Sequence, residues 1–180
     1  AAQQALVSLL HDDVERIERW AARSVAGAAS AGIPTDLGRV MTGYVSWFRG
    51  DAEAALAACD FLDELGPEER LRRGIEARNG RLLLALWTDA HELVRADAAV
   101  IDAAMRRFGP SVYGAVSLAN LAELDYRLGY WDAALARGEA AVSLGADLGH
   151  SWHAVCYPMA AAHVLAARGD LQDAERYVAS

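Results

Sequence analysis

A recurring turn constrains this chain more than any other feature. Phe48-Arg49-Gly50-Asp51-Ala52-Glu53-Ala54-Ala55-Leu56, Leu128-Gly129-Tyr130-Trp131-Asp132-Ala133-Ala134-Leu135 and Arg168-Gly169-Asp170-Leu171-Gln172-Asp173-Ala174 share one pattern. In each, a Gly ends one segment, an acidic or aromatic residue opens the next, and an Ala follows five positions after the Gly. Glycine reaches the left-handed conformation that stops a helix, and the small Ala lets two helices approach closely. A fourth turn is expected at Thr88-Asp89, which lacks the Gly and reads as a degenerate copy. Turns near residues 50, 88, 129 and 169 lie 38, 41 and 40 residues apart. A period of that length marks stacked helical hairpins, none able to bury its apolar face alone.

Between the turns the apolar residues keep helical spacing. Leu6, Leu10, Val14, Ile17, Ala21, Val25 and Ala28 step by 4, 4, 3, 4, 4 and 3, the period of an amphipathic helix. Gly32-Ile33-Pro34 ends that helix. Further helices are expected from Asp36 to Phe48, from Asp51 to Leu65, and from Glu68 to Trp87, the last with Gly74 and Gly80 as points of kink or split. Others follow from Asp89 to Phe108, from Pro110 or Ser111 to Leu128, and from Trp131 to Leu148. Two more lead from Gly149 to Arg168 and from Asp170 onward. The expected fold is all-α: an antiparallel helical-hairpin, tetratricopeptide-like solenoid of about nine helices. Residues 1–180 read as a single helical-repeat domain. The abrupt start inside a helical pattern reads as a fragment of a longer protein.

Composition removes several function classes. All 17 basic residues are arginine, against 25 acidic ones, for a net charge of −8. A phosphate-binding Walker loop and a Schiff base both need a lysine amine, so neither fits. Duplex nucleic acid needs clustered positive charge, so direct binding by this segment is not expected. Arg70, Arg72, Arg73, Arg78 and Arg81 form a local basic run interleaved with Glu68, Glu69 and Glu76, read as a solvated helix face. Alanine, about a fifth of the chain, favours helix and close helix packing. Cys59 and Cys156 form no spacing motif, and no apolar run has membrane-spanning length. The expected setting is cytoplasmic, with no membrane partner.

The third hairpin carries a more specific pattern. Leu118, Leu121, Ala122, Tyr126, Gly129, Trp131, Ala134 and Ala141 fit the tetratricopeptide motif, at a period longer than its usual 34. Leu135-Ala136-Arg137-Gly138-Glu139-Ala140-Ala141, Leu148-Gly149-His150-Ser151-Trp152 and Ala166-Ala167-Arg168-Gly169-Asp170-Leu171-Gln172-Asp173-Ala174-Glu175-Arg176 resemble the repeat region of large, ATP-binding LuxR-type (MalT-like) bacterial transcriptional regulators. The resemblance spans residues 36–180. It implies a non-enzymatic sensor or oligomerisation segment that binds an inducer or a regulatory protein, without a cofactor and with a homo-oligomer as one form. The alternative is a free-standing tetratricopeptide-like scaffold that assembles other proteins.

No catalytic or metal set stands out. His150, His153 and Cys156 recur every third residue, but a structural zinc site needs a fourth ligand. His91-Glu92 opens a zinc-protease motif that fails where Arg95 replaces the second His. The candidate site is the inner face, lined by the first helix of each hairpin. It offers Tyr44 and Trp47, Arg78 and Asn79, Asn120, Glu123, Tyr126 and Arg127, and His163. Amides, charges and rings together suit a peptide or a small polar-aromatic inducer. Val40 and Met159 fall on the same helices, and packing between hairpins is the competing role for Tyr44, Trp47 and Met159. For Arg127 the competing role is a pair with Glu123 across one helical turn.

Overall fold

The computed structural model describes residues 13–72, 75–109, 113–149 and 157–179. All regular structure among them is helical: ten α-helices and two 3-10 turns. They are α1 (Val14–Ala31), α2 (Asp36–Phe48), α3 (Ala52–Ala57), α4 (Pro67–Arg72) and α5 (Ile75–Trp87), then α6 (Arg95–Phe108), α7 (Gly114–Arg127), α8 (Trp131–Asp147), α9 (Met159–Arg168) and α10 (Leu171–Ala179). The 3-10 turns are Asp60–Leu62 and His91–Val94. The chain divides into two compact units, Ala1–Ala90 and His91–Ser180.

The repeated turn has one geometry. Gly50, Gly129 and Gly169 sit at φ 82°, 82° and 87°. The next amide reaches back over the turn each time: Asp51 N–H to the Ser46 carbonyl at 3.0 Å, Tyr130 to Asp125 at 2.8 Å, Asp170 to Leu165 at 2.9 Å. This is the helix-ending bond a left-handed residue permits. Asp89, at φ 55°, holds the corresponding position in the copy without glycine, and Ala90 N–H bonds the Ala85 carbonyl at 2.9 Å. Degeneracy there is in residue type and not in backbone. Aspartate is one of the few L-residues that tolerates this conformation. The Ala five positions after each Gly (Ala55, Ala134, Ala174) is buried.

In the first unit α2 packs against α1, α3 and α5. Ile17, Val40, Met41, Leu62 and Leu84 are sealed in its core. The approach of α2 and α5 is so close that a Cβ on Gly80 would lie 2.3 Å from Val40 Cγ1. The helix expected from Asp51 to Leu65 is shorter than its pattern implied. It starts with Asp51 capping the Ala54 amide at 2.9 Å, and it gives way after Ala57 to the 3-10 turn. Arginines from the following helices bond carbonyls of the segment beyond it. Arg70 Nε donates to Leu65 at 2.7 Å and its Nη2 to Asp63 at 2.8 Å, while Arg78 Nη2 donates to Leu62 at 2.8 Å. Arg81 forks onto the Asp63 carboxylate at 2.9 and 3.0 Å. Carbonyls at a helix end lack intrahelical donors, and guanidinium forks supply them. Arg78 and Arg81, read from the sequence as part of a solvated face, are therefore buried.

In the second unit α7 packs against α6, α8 and α9, and α9 against α8 and α10. Leu121, Ala122, Ala134, Ala141, Ala161 and Val164 are fully enclosed. A Cβ on Gly138 would meet the Ala161 Cβ at 2.9 Å and its backbone N at 3.1 Å, so small residues set the α8–α9 spacing. Arg137 on α8 donates at 2.6 Å to both Asp125 on α7 and Asp102 on α6, tying three helices together. No helix among the described residues is long and apolar enough to cross a membrane. Leu6, Leu10, Arg73, Gly74, Pro110, Ser111, His150, His153 and Cys156, named above in the helix and metal readings, lie outside the described residues.

Candidate functional site

The fold treats the nine candidate residues differently. In the first unit Tyr44, Arg78 and Asn79 are buried. The Tyr44 ring tilts against Trp87 at 5.5 Å, and its hydroxyl lies 3.5 Å from the Gly80 carbonyl. Burial, followed by the nearby Cys59, pushes the Tyr44 hydroxyl well above the usual phenol range, so it stays neutral. Arg78 serves the Leu62 carbonyl. Trp47 is half-buried, with its ring 4.3 Å from Trp87 and 5.0 Å from Phe48. These side chains face the interior of the unit. The competing packing role describes Tyr44 and Trp47 there.

The second unit gathers its candidates into a surface patch. Helix α7 carries Asn120, Glu123, Tyr126 and Arg127, and spacings of three and four place them along one side. Asn120 is half-buried in the same row. Glu123 is the hub. Its Oε1 accepts from Arg127 Nε at 2.8 Å, and its Oε2 lies 3.5 Å from His163 Nδ1 on α9, an ion pair when the imidazole is protonated. His163 stands 5.3 Å from the Tyr126 ring, which stacks at 6.5 Å on Trp131. The Glu123 side chain is 22% exposed, Arg127 34% and His163 45%, so the patch is partly wet and open to a ligand.

Trp131 joins this patch, although residue spacing alone did not select it as a site residue. Its signal is in the sequence: an aromatic residue opens α8 directly after the Gly129 turn, which swings the ring back over the end of α7. Behind the patch, burial raises the Asp125 carboxyl above the ordinary aspartate value, against the opposing pull of Arg137. The Arg137 bridge fixes α7 on the side away from Glu123 without drawing on the patch itself.

The arrangement presents a carboxylate held between a guanidinium and an imidazole, beside two stacked rings. It suits recognition of a polar end group next to an aromatic or planar one. Among the described residues, no group of three or more His, Cys, Asp and Glu side chains could hold a metal ion. Arg95, which breaks the zinc-protease pattern, pairs with Glu92 at 3.1 Å. Compared with known proteins, the chain matches no family model, no curated protein and no solved structure.

Proposed function

We propose that the chain is a tetratricopeptide-like solenoid that acts as a non-enzymatic ligand-sensing or protein-interaction module of a bacterial transcriptional regulator. One observation carries the reading: left-handed residues at 50, 89, 129 and 169 recur at near-constant spacing. A turn repeated with the same backbone geometry supports stacking of equivalent hairpins, and stacked hairpins make extended binding surfaces. The patch around Glu123 is where a peptide or small polar-aromatic inducer would dock. The regulator setting comes from the sequence resemblance alone.

The test is a thermal-shift screen of short peptides and aromatic acids against the chain and its Arg127→Ala variant. Stabilisation of the parent that disappears in the variant supports the reading. The variant's own stability should change by no more than about 0.5 kcal/mol, the scale of an exposed i,i+4 pair. Ligands that stabilise both proteins equally would remove the patch from the proposal. The complete reading frame separates the regulator from the free-standing scaffold, because only the regulator carries ATPase and helix-turn-helix segments.

A further inference from the structure

Glu123 joins α7 to α9 through a side chain whose charge changes near neutral pH. Its Oε1 accepts from Arg127 Nε at 2.8 Å, and its Oε2 lies 3.5 Å from His163 Nδ1. An ionised carboxylate only accepts, so the ring nitrogen beside it carries the proton when the imidazole is neutral. Nε2 then keeps its lone pair and can only accept. Protonation turns Nε2 into a donor and adds one positive charge. The His163 side chain is 45% exposed, so its second nitrogen can meet a ligand. The Tyr126 ring stands 5.3 Å from the imidazole and stacks on Trp131 at 6.5 Å.

The charged groups of the helices around His163 are largely matched among themselves. On α8, Asp132 accepts from Arg168 of α9 at 2.5 Å, Arg137 holds Asp102 and Asp125, and Glu139 accepts from Tyr177 at 3.1 Å. On α10, Asp173 pairs with Arg176. Exposed Asp147 of α8 and Glu175 of α10 are the remaining acids of those helices. With a neutral imidazole, Glu123 and Arg127 offset each other. With a protonated one the patch gains a net positive charge.

We propose that the Glu123 patch takes an aromatic carboxylate and that protonation of His163 admits it. Both the ligand class and the switch rest on the reading of this patch as a binding site. In the protonated state Nε2–H donates to the ligand carboxylate, a charge-assisted bond, while the ligand's ring lies against Tyr126 and Trp131. In the neutral state the Nε2 lone pair faces the carboxylate and repels it. Glu123 sets this polarity, because it holds Nδ1 and leaves Nε2 as the nitrogen that switches. A ligand that prefers the protonated ring takes up a proton on binding, so affinity rises as pH falls. An amide of the same shape donates as well as accepts, so it meets either form of the ring.

The probes are indole-3-acetate and its neutral amide, indole-3-acetamide, titrated by calorimetry into the full chain at about pH 8 and about pH 6. The acid should bind at least about fivefold tighter at the lower pH, and the amide should change by less than about twofold. His163→Gln should hold the acid at its weak, high-pH affinity throughout. At about pH 7, titrations in two buffers of different ionisation enthalpy should show net proton uptake with the acid and none with the amide. That measurement uses the parent chain, so it decides even where His163→Gln fails to fold. Equal affinity for the acid at the two pH values, or binding without proton uptake, overturns the switch. A pH dependence that survives in His163→Gln also overturns it. No binding of the acid at either pH overturns the ligand class, and the patch itself then stands or falls on the Arg127→Ala screen. Acid binding that ignores both Arg127→Ala and His163→Gln removes the patch as well.

Discussion

Asp89 carries a backbone that most L-residues avoid, at a cost on the order of 1 kcal/mol. Its φ of 55° is set by the turn, since Ala90 must reach the Ala85 carbonyl. Asp89→Gly should therefore keep or raise the urea midpoint, and Asp89→Val should lower stability by about 1–2 kcal/mol. The reverse order would mean that the turn is not left-handed. Asp63 supports a second prediction. The hydrogen bonds from Arg81, with Arg81, Arg78 and Arg70 charges behind them, hold its carboxyl below the ordinary value of 3.8. A depressed folded pKa contributes stability that is present above the unfolded value and is lost as pH falls through the folded one. Wild type should thus lose stability from this group only below about pH 4. Asp63→Asn should show a shallower acid limb and lower stability at neutral pH. Identical acid limbs in the two proteins would exclude the Asp63–Arg81 pair as a source of stability.

At the scale of helices, glycine means opposite things in two places. Gly80 lies inside α5 where a methyl group would run into Val40, whereas at Gly27 in α1 a Cβ would have nothing within 4 Å. Gly80→Ala should overpack the α2–α5 contact and cost about 1–3 kcal/mol. Gly27→Ala should raise stability by about 0.5–1 kcal/mol through helix propensity. Equal effects of the two substitutions, read as chemical-denaturation midpoints, would contradict the close approach. Helices α2, α7 and α8 were legible from the sequence because their apolar period ends at a Gly or starts at a capping residue. The early end of α3 was not legible. Its apolar residues continue in helical spacing, and the carbonyls beyond it meet arginines further along the chain, which local spacing does not reveal. The same gap explains Arg78 and Asn79: period alone places them on a face but cannot say that a neighbouring element covers it. The Glu123, Arg127 and Tyr126 row was legible because all three share one helix. Trp131 needed the turn's direction, which residue spacing does not give.

For the molecule as a whole, charge is the property that acts at a distance. With 25 acidic and 17 basic residues, the formal charge is −8. The long-range field therefore opposes a phosphate backbone, and any contact must come from a local patch. A stretch such as Arg16, Arg19 and Arg23 on α1 offers three arginines, interleaved with Asp13, Glu15 and Glu18. Neutralising about three phosphates gives a salt slope near −2.7, so raising salt from about 50 to about 200 mM should weaken binding roughly 40-fold. Proteins that grip duplex DNA use many more contacts and withstand that loss from a tighter starting point. A duplex titration at about 150 mM salt should accordingly show no sub-micromolar binding. Tight binding with a steep salt slope would mean that more cations face the duplex than the described surface provides. The reading of this chain as a module that meets proteins or small inducers, leaving DNA to another segment, would then fall.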